Sequence, residues 1–171
     1  MSDFFPENYQ KPSSSWNYFK PAKGENRVRI ITKPVIGFVD WDKTGEKQRP
    51  IRTKELQTAF DPNQKPKHFY AFGVLHEWEV KIWEITQSSI QDSIYALAKD
   101  EEWGEPTLYD LSITRTGESM ETKYSVIPKP AKMLTDEQGE IIMNSPLNLE
   151  ALFDWGNPFE VEAKEEEDET F

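Results

Sequence analysis

The order of hydrophobic periods along the chain constrains its fold more than any single motif does. Apolar residues alternate with a period of two in several segments, which indicates β-strands, and one segment between them has helical spacing instead. The segments that indicate strands are NRVRIITKPVIGFVDW (26–41), HFYAFGVLH (68–76), EVKIWEIT (79–86), TLYDLSITR (107–115) and ETKYSVIP (121–128). The order is therefore three strands, one helix and two strands.

Local signals refine these elements. Pro34 and Gly37 lie inside the first segment, so we expect one long strand that bends at a bulge or kink. SSIQDSIYALAKD (88–100) carries apolar residues at helical spacing, and Ser88 with Gln91 fits a capping box. Gly104 and Pro106 end this helix, and a second, short helix is expected near residues 147–154.

This order of elements is that of an OB-fold, a mainly β, five-stranded Greek-key barrel with one helix between strands 3 and 4. The barrel occupies residues 24–130 on this interpretation. An irregular arm, residues 1–23, precedes it, and an extension with a short helix, residues 131–159, follows it. The final segment, 160–171, is an acidic tail that has too few apolar groups to fold alone.

Composition excludes several classes of protein. The chain has no cysteine, which excludes disulfides and sites that depend on thiolates. The first fifteen residues have neither the basic nor the apolar region of a signal peptide, and no apolar run has the length of a membrane span. We therefore expect a soluble, cytoplasmic protein with no membrane partner.

Charge is distributed unevenly along the chain. The net charge is -11, yet residues 11–70 hold thirteen Lys and Arg against six Asp and Glu. The last twelve residues hold seven acids and one lysine. Such asymmetry is typical of a basic binding surface joined to an acidic interaction tail.

The basic residues fall where an OB-fold binds its ligands, over strands 2 and 3 and in the loops between strands 1–2 and 4–5. A protein that holds single-stranded nucleic acid needs cations for phosphates and flat rings for bases. The candidate cations are Lys43, Lys47, Arg49, Arg52, Lys54, Lys65, Lys67, Arg115 and Lys123. The candidate stacking residues are Trp41, Phe60, Phe69, Tyr70, Phe72, Trp83, Tyr109 and Tyr124. About half of these rings must fill the barrel, and strand alternation alone does not say which half.

The acidic tail is the candidate site for partner proteins, because an aromatic residue with its own α-carboxylate ends it. Such a terminus can dock in a pocket, and its acids can also cover the basic cleft of the same chain. The residues concerned are Glu165, Glu166, Glu167, Asp168, Glu169 and Phe171.

No catalytic site, cofactor or metal site is expected. Asp40 and Asp42 form a DWD sequence, but no complementary cluster of carboxylates accompanies them. His68 and His76 are the only histidines, and their spacing fits neither zinc nor a nucleophilic triad. The chain also lacks a phosphate-binding glycine loop.

Several segments together carry a resemblance to a known family: YFKPAKGENRVRIITKPVIGFVDW, KHFYAFGVL, the run from Lys81 to Glu118, ETKYSVIPKP and the terminal EEEDETF. In these segments the sequence resembles phage-encoded single-stranded-DNA-binding proteins. The resemblance implies an OB-fold that coats single-stranded DNA during replication, recombination and repair. It also implies a tail that contacts replication or recombination proteins. Some relatives hold zinc through cysteines, which this chain lacks.

Two other functions remain open at this stage. One is an OB-fold adaptor, or an inhibitor of a host protein, which does not bind DNA. The other is a nuclease or other metal enzyme built around Asp40 and Asp42. Loss of DNA binding after charge reversal at Arg49 and Arg52 separates the DNA-binding function from the adaptor, and Mg²⁺-dependent turnover identifies the nuclease.

Overall fold

A computed structural model describes residues 18–42, 49–56 and 64–159, with only the backbone described at Arg49. Within these ranges there are seven strands: β1 (Gly24–Ile30), β2 (Val35–Asp42), β3 (Arg49–Thr53), β4 (Lys67–His76), β5 (Glu79–Ile85), β6 (Asp110–Thr116) and β7 (Lys123–Pro128). Two α-helices, α1 (Ser88–Lys99) and α2 (Asp136–Met143), accompany them. The 3₁₀ helices are Pro106–Leu108, Ser119–Glu121 and Leu149–Phe153.

The seven strands form one antiparallel sheet with β4 at its centre. β1 and β2 pair with one edge of β4, and β5 pairs with the other edge through the predicted β4–β5 hairpin. β3 pairs with β2, while β6 pairs with β1 and then with β7. The prediction of a mainly β protein with its main helix between β5 and β6 is confirmed.

The predicted bend in the first strand lies before Val35. Ile30 pairs with Val74 and Val35 pairs with Ala71, so two more residues lie on the β1–β2 side than on the β4 side. The Gly73 amide donates to the Thr32 hydroxyl at 2.8 Å, which satisfies a group that the interrupted ladder leaves free. β1 and β2 are therefore two strands that run in succession along β4.

Several details of the predicted elements are wrong. The strand count is seven rather than five, because the first strand divides and the long polar loop contains β3. The capping box at Ser88 does not form; the Gln91 amide donates instead to the carbonyls of His68 and Ile85 at 2.9 and 2.8 Å. The expected helix near 147–154 is the 3₁₀ helix at Leu149–Phe153, and α2 was not predicted.

The sheet does not close into the expected barrel in the part of the chain that the structure describes. Closure requires pairing between β5 and β7, and these strands do not pair there. Beside β5, Tyr18 instead forms a parallel bridge with Ile82, and the Phe19 amide donates to the Ile82 carbonyl at 2.8 Å. The arm thus lies along β5, the strand that would pair with β7 in a closed barrel.

The main core lies on one face of this sheet and beneath α1. It combines apolar side chains from β1, β4, β5 and β6 with Ile90 and Ile94 of α1. Phe19 of the arm joins it through an edge-to-face contact with Trp83, with the ring centroids 5.4 Å apart. Burial of these side chains supplies the hydrophobic stabilisation that fixes α1 and the arm against the strands.

A second core lies on the opposite face of β2, β4 and β5. Here Val39, Phe69 and Ile82 pack against Leu149 and Leu152 of the C-terminal extension. Two glycines allow the extension to approach closely: a β-carbon at Gly37 would lie 2.9 Å from the Phe153 ring, and one at Gly73 would lie 2.6 Å from the end of Leu147. The extension therefore covers much of the sheet face that an OB-fold offers to ligands.

We expect Gly73→Ala to lower the free energy of unfolding by about 1–3 kcal/mol, the usual cost of overpacking. The added methyl would lie 2.8 Å from the methyl of Thr32, which cannot move away without losing its hydrogen bond to the residue-73 amide. Urea denaturation measures the change. Gly139→Ala is the matched control, because nothing lies within 4 Å of a β-carbon there and alanine favours helix α2. Equal stability of the two variants would contradict the close packing at Gly73.

Candidate functional site

One cleft brings together several of the predicted site residues with the N-terminal arm. Its volume is about 390 Å³, and we call it the arm groove. Its lining side chains are Tyr18, Phe19, Lys20, Val39, Trp41, Arg52, Lys67, Glu84 and Thr86. They come from the arm and from β2, β3, β4 and the end of β5, so the groove crosses the sheet.

Strand pairing explains why these side chains meet. Val39 pairs with Arg52 on one side and with Lys67 on the other, which places the three residues in a row across β3, β2 and β4. Trp41 lies two residues beyond Val39, and side chains two residues apart in a strand share a face. The groove is therefore a continuation of the face that carries the second core.

An ion pair lies at the bottom of the arm groove. The Arg52 guanidinium donates to one Glu84 carboxylate oxygen at 2.6 and 3.1 Å. Both side chains are largely buried, with 11% and 16% of their surfaces exposed. Removal of one partner would leave a poorly solvated charge, which is costly, so the two side chains stay together and hold β3 and β5 in place at the groove. The positive charge of Arg52 is therefore already compensated by Glu84.

The Tyr18 phenol lies within the field of the same ion pair. Burial raises the pKa of Tyr18 above its ordinary value, Arg52 opposes that rise, and Glu84 adds to it. Tyr18 consequently stays neutral at physiological pH and can offer its ring without adding negative charge. Its ring also contacts Phe159 edge-on, with the centroids 6.5 Å apart, so the last described residue lies beside the groove.

Trp41 is the partly exposed aromatic ring of the arm groove, with 38% of its surface accessible. Local hydrogen bonds hold its backbone in place. Its amide donates to the Asp40 carboxylate at 2.8 Å, and the Gln64 amide donates both to that carboxylate and to the Trp41 carbonyl. The indole is thus presented from a fixed strand end, a suitable arrangement for stacking.

Exposed cations lie at and near the rim of the groove. Lys20 and Lys67 line it, and Lys65 lies two residues before Lys67. All three are exposed and make no ion pair within the described ranges. Their ammonium groups are hydrated and available to an anion. The groove therefore combines a charge-compensated ion pair, a partly exposed indole and lysines that make no ion pair with the described residues.

Four of the predicted stacking residues are core residues, so that prediction is wrong for them. Phe69 and Tyr109 are 0% exposed, Trp83 is 1% exposed and Phe72 is 5% exposed. Phe69 lies under the extension and the other three lie in the main core. Tyr70 and Tyr124 are half-buried at the margin of the main core. None of these six lines the arm groove.

Some of the predicted cations contact other parts of the protein and do not line the groove. Lys54 pairs with Glu150 of the extension at 2.9 Å and lies over the Phe153 ring, so it attaches the extension rather than lining the groove. Arg115 donates to the Pro21 carbonyl at 3.3 Å, and its Nε is buried without a partner in the described part of the chain. Lys123 is exposed at the start of β7, beside the end of β6 and away from the groove lining.

Other predicted site residues lie outside the described residues. These are Lys43, Lys47, Phe60, the side chain of Arg49, and the tail residues Glu165, Glu166, Glu167, Asp168, Glu169 and Phe171. Conversely, Tyr18, Lys20 and Glu84 line the groove and were missed. Lys20 lies in a basic, aromatic stretch of the arm that could have drawn attention, whereas nothing local indicates that Glu84 meets Arg52.

The Asp40 carboxylate has a structural role at the end of β2. Asp40 is 8% exposed, and its carboxylate accepts the hydrogen bonds described above. In the described ranges there is no group of three or more His, Asp or Glu side chains that could hold a metal ion. In those ranges, too, no helix is long and apolar enough to cross a membrane.

No protein-family model, curated protein or solved structure matches this chain. A functional proposal for this protein therefore rests on the geometry of the groove and on the sequence.

Proposed function

We propose that the protein binds single-stranded DNA without sequence preference and that the arm groove is the binding surface. The observation that carries this proposal is one groove lined by the partly exposed Trp41, by the charge-compensated Arg52–Glu84 pair, and by Lys20 and Lys67, which make no ion pair within the described residues. A ring for stacking and cations for phosphates are what sequence-independent single-strand binding needs. Segments 43–48 and 57–63, which lie outside the described residues and flank β3 in the sequence, contain the predicted site residues Lys43, Lys47 and Phe60.

The strand order supports the same function, and we infer from it a relation to the OB-fold. β1 with β2, then β4, β5, β6 and β7 would correspond to OB strands 1 to 5, and they pair in that order except that β5 and β7 do not pair in the part of the chain that the structure describes. On this correspondence the long segment between β2 and β4 is the ligand-binding loop between strands 1 and 2. The extension leaves the end of the ligand face open at the arm groove.

The acidic tail fits the proposal in two ways. The tail follows Phe159 directly in the sequence, and the Phe159 ring contacts Tyr18 in the groove wall. Twelve residues can span about 40 Å when extended, which is ample to reach across the groove. We infer that the tail competes with DNA and that Phe171 serves as an anchor for replication or recombination proteins.

Charge reversal of Lys20 and Lys67 tests the proposal. We expect the double variant K20E/K67E to bind oligo(dT) at least tenfold more weakly at about 0.1 M salt, with a salt slope shallower by roughly 0.7 per lysine. These lysines replace Arg52 as the residues to test, because reversal at Arg52 would also break its buried pair with Glu84. Fluorescence anisotropy with labelled oligo(dT) gives both quantities.

The control for this experiment is K132E. Lys132 is exposed and does not line the arm groove, so its reversal lowers the net charge by two units, the same change per lysine as in the double variant, without touching the site. If K20E/K67E and K132E bind oligo(dT) equally well, the groove does not contact phosphates. DNA would then bind elsewhere on the chain, whereas absence of oligo(dT) binding by the unmodified protein would favour an adaptor that does not use DNA.

A further inference from the structure

A second cleft lies between α1 and the bend that joins β1 to β2. Its volume is about 250 Å³, and we call it the α1 cleft. Its apolar lining includes Ile36, Tyr70, Phe72, Ile94, Tyr95 and Ala98. None of these residues lines the arm groove, so the two clefts are separate sites.

The rim of the α1 cleft exposes large apolar side chains to solvent. Ile36 is 50% exposed and Tyr95 is 57% exposed, although neither is needed to fill a core. Exposed apolar side chains that surround a concave, apolar cleft are typical of binding sites for another molecule. The cleft is large enough for one big side chain.

The charges around this cleft are mostly negative. Glu105 lines it, and Asp92 is close enough to Tyr70 to raise the pKa of that phenol, after the larger effect of burial. Asp100, Glu101 and Glu102 are exposed in the turn that follows α1. The nearby cations are Lys33 in the lining and Lys99, which lies over the Tyr95 ring.

This environment disfavours nucleic acid and the chain's own tail. Carboxylates repel both phosphates and an acidic peptide, whereas they attract lysine and arginine. A nucleobase enclosed in this apolar cleft, unlike one that stacks on an exposed ring, also needs hydrogen-bond partners for its polar edge. The Thr32 hydroxyl in the lining already accepts from the Gly73 amide and donates to the Lys33 carbonyl, so it offers little to a base.

We propose that the α1 cleft binds a partner polypeptide, with one aromatic or large aliphatic side chain seated in the cleft and lysine or arginine residues beside Glu105 and the acidic turn 100–102, which together we call the acidic rim. The apolar lining supplies affinity, and these carboxylates on one side of the cleft favour a cationic segment. This interaction is independent of DNA binding in the arm groove, so either proposal can fail without the other.

The test uses the peptide acetyl-Lys-Lys-Leu-Phe-Lys-Lys-amide as a probe and amide chemical shifts of the full chain as the readout. We expect saturable shifts at Ile94, Tyr95, Ala98 and Thr107, which belong to the cleft lining. A peptide with glutamates in place of the four lysines should leave these signals unchanged. Oligo(dT) should leave them unchanged too, since the acidic rim repels phosphates.

Two variants locate the binding. Ala98→Trp fills the cleft from an exposed helix position and should weaken peptide binding at least about tenfold, the scale set by one buried apolar side chain. Ala96→Trp is its control, because Ala96 is exposed on the same helix and does not line the cleft. Glu105→Lys should weaken binding about three- to fivefold, while Glu140→Lys on α2 should have no effect.

The proposal is overturned by three results. One is the absence of saturable shifts at the cleft with the basic peptide. Another is equal binding by A98W and A96W when thermal unfolding shows that both are folded. The third is a matching set of shifts produced by oligo(dT), which would make the cleft part of a nucleic-acid surface.

Discussion

Trp83→Ala should lower the free energy of unfolding by about 3–5 kcal/mol, the usual cost of removing a large aromatic side chain from a core. Trp83 is 1% exposed and joins β5 to the arm through Phe19. Alanine leaves a cavity there and removes the ring that holds Phe19 beside the arm groove. Because a domain of this size is stable by only about 5–15 kcal/mol, the variant should show a much lower urea midpoint in far-UV circular dichroism.

Trp78→Ala is the control for that prediction. Trp78 lies at the turn of the same β4–β5 hairpin and is 56% exposed, so we expect a change within about 0.5 kcal/mol. Full stability of Trp83→Ala, together with weaker binding of oligo(dT), would mean that Trp83 stacks on bases after all. The assignment of Trp83 to the core would then be wrong.

Trp41→Ala should leave the fold intact and weaken binding of oligo(dT). A stacked base contributes about 1–3 kcal/mol by alanine substitution, which corresponds to roughly 5- to 150-fold in affinity. Trp41→Phe should retain most of the affinity, because a flat ring remains. Quenching of tryptophan fluorescence by oligo(dT) should fall sharply in both variants, since they lack the indole that contacts the bases.

The matched control for Trp41→Ala is Trp103→Ala. Both indoles are 38% exposed, but Trp103 packs edge-on against Tyr109 and does not line the arm groove. Anisotropy titrations should therefore show a large loss for the first variant and little change for the second. Equal affinities of the two variants would remove Trp41 from the DNA-binding surface.

The strands and the main helix were predictable because their signals are local. Alternation in residues 68–76 and 79–86 and helical spacing in 88–100 do not depend on what packs around them. α2 could also have been recognised, since Thr135 and Gln138 form a capping box that is visible in the sequence. The division of the first strand was foreshadowed by Pro34, although Gly37 proved to be a packing position instead.

Which of the candidate aromatic rings are buried in a core and which are exposed was not predictable, because this depends on contacts between distant segments. Alternation placed Phe69 and Tyr70 on opposite faces of β4, but only the extension determines that Phe69 is covered. The same holds for Arg52, whose charge is compensated by Glu84 from another strand of the sheet. Sequence alone showed a basic segment there, and the fold shows that Arg52 and Lys54 form ion pairs while Lys65 and Lys67 form none within the described residues.

The central claim is that the arm groove binds single-stranded DNA and that the acidic tail limits this binding. Anisotropy titration of labelled oligo(dT) with the full chain and with a chain that ends at Phe159, over a range of salt concentrations, tests it most directly. We expect the shorter chain to bind more tightly, with log affinity falling by roughly 0.7 per log unit of salt for each neutralised phosphate. Absence of binding by the folded, shorter chain at low salt would contradict the claim.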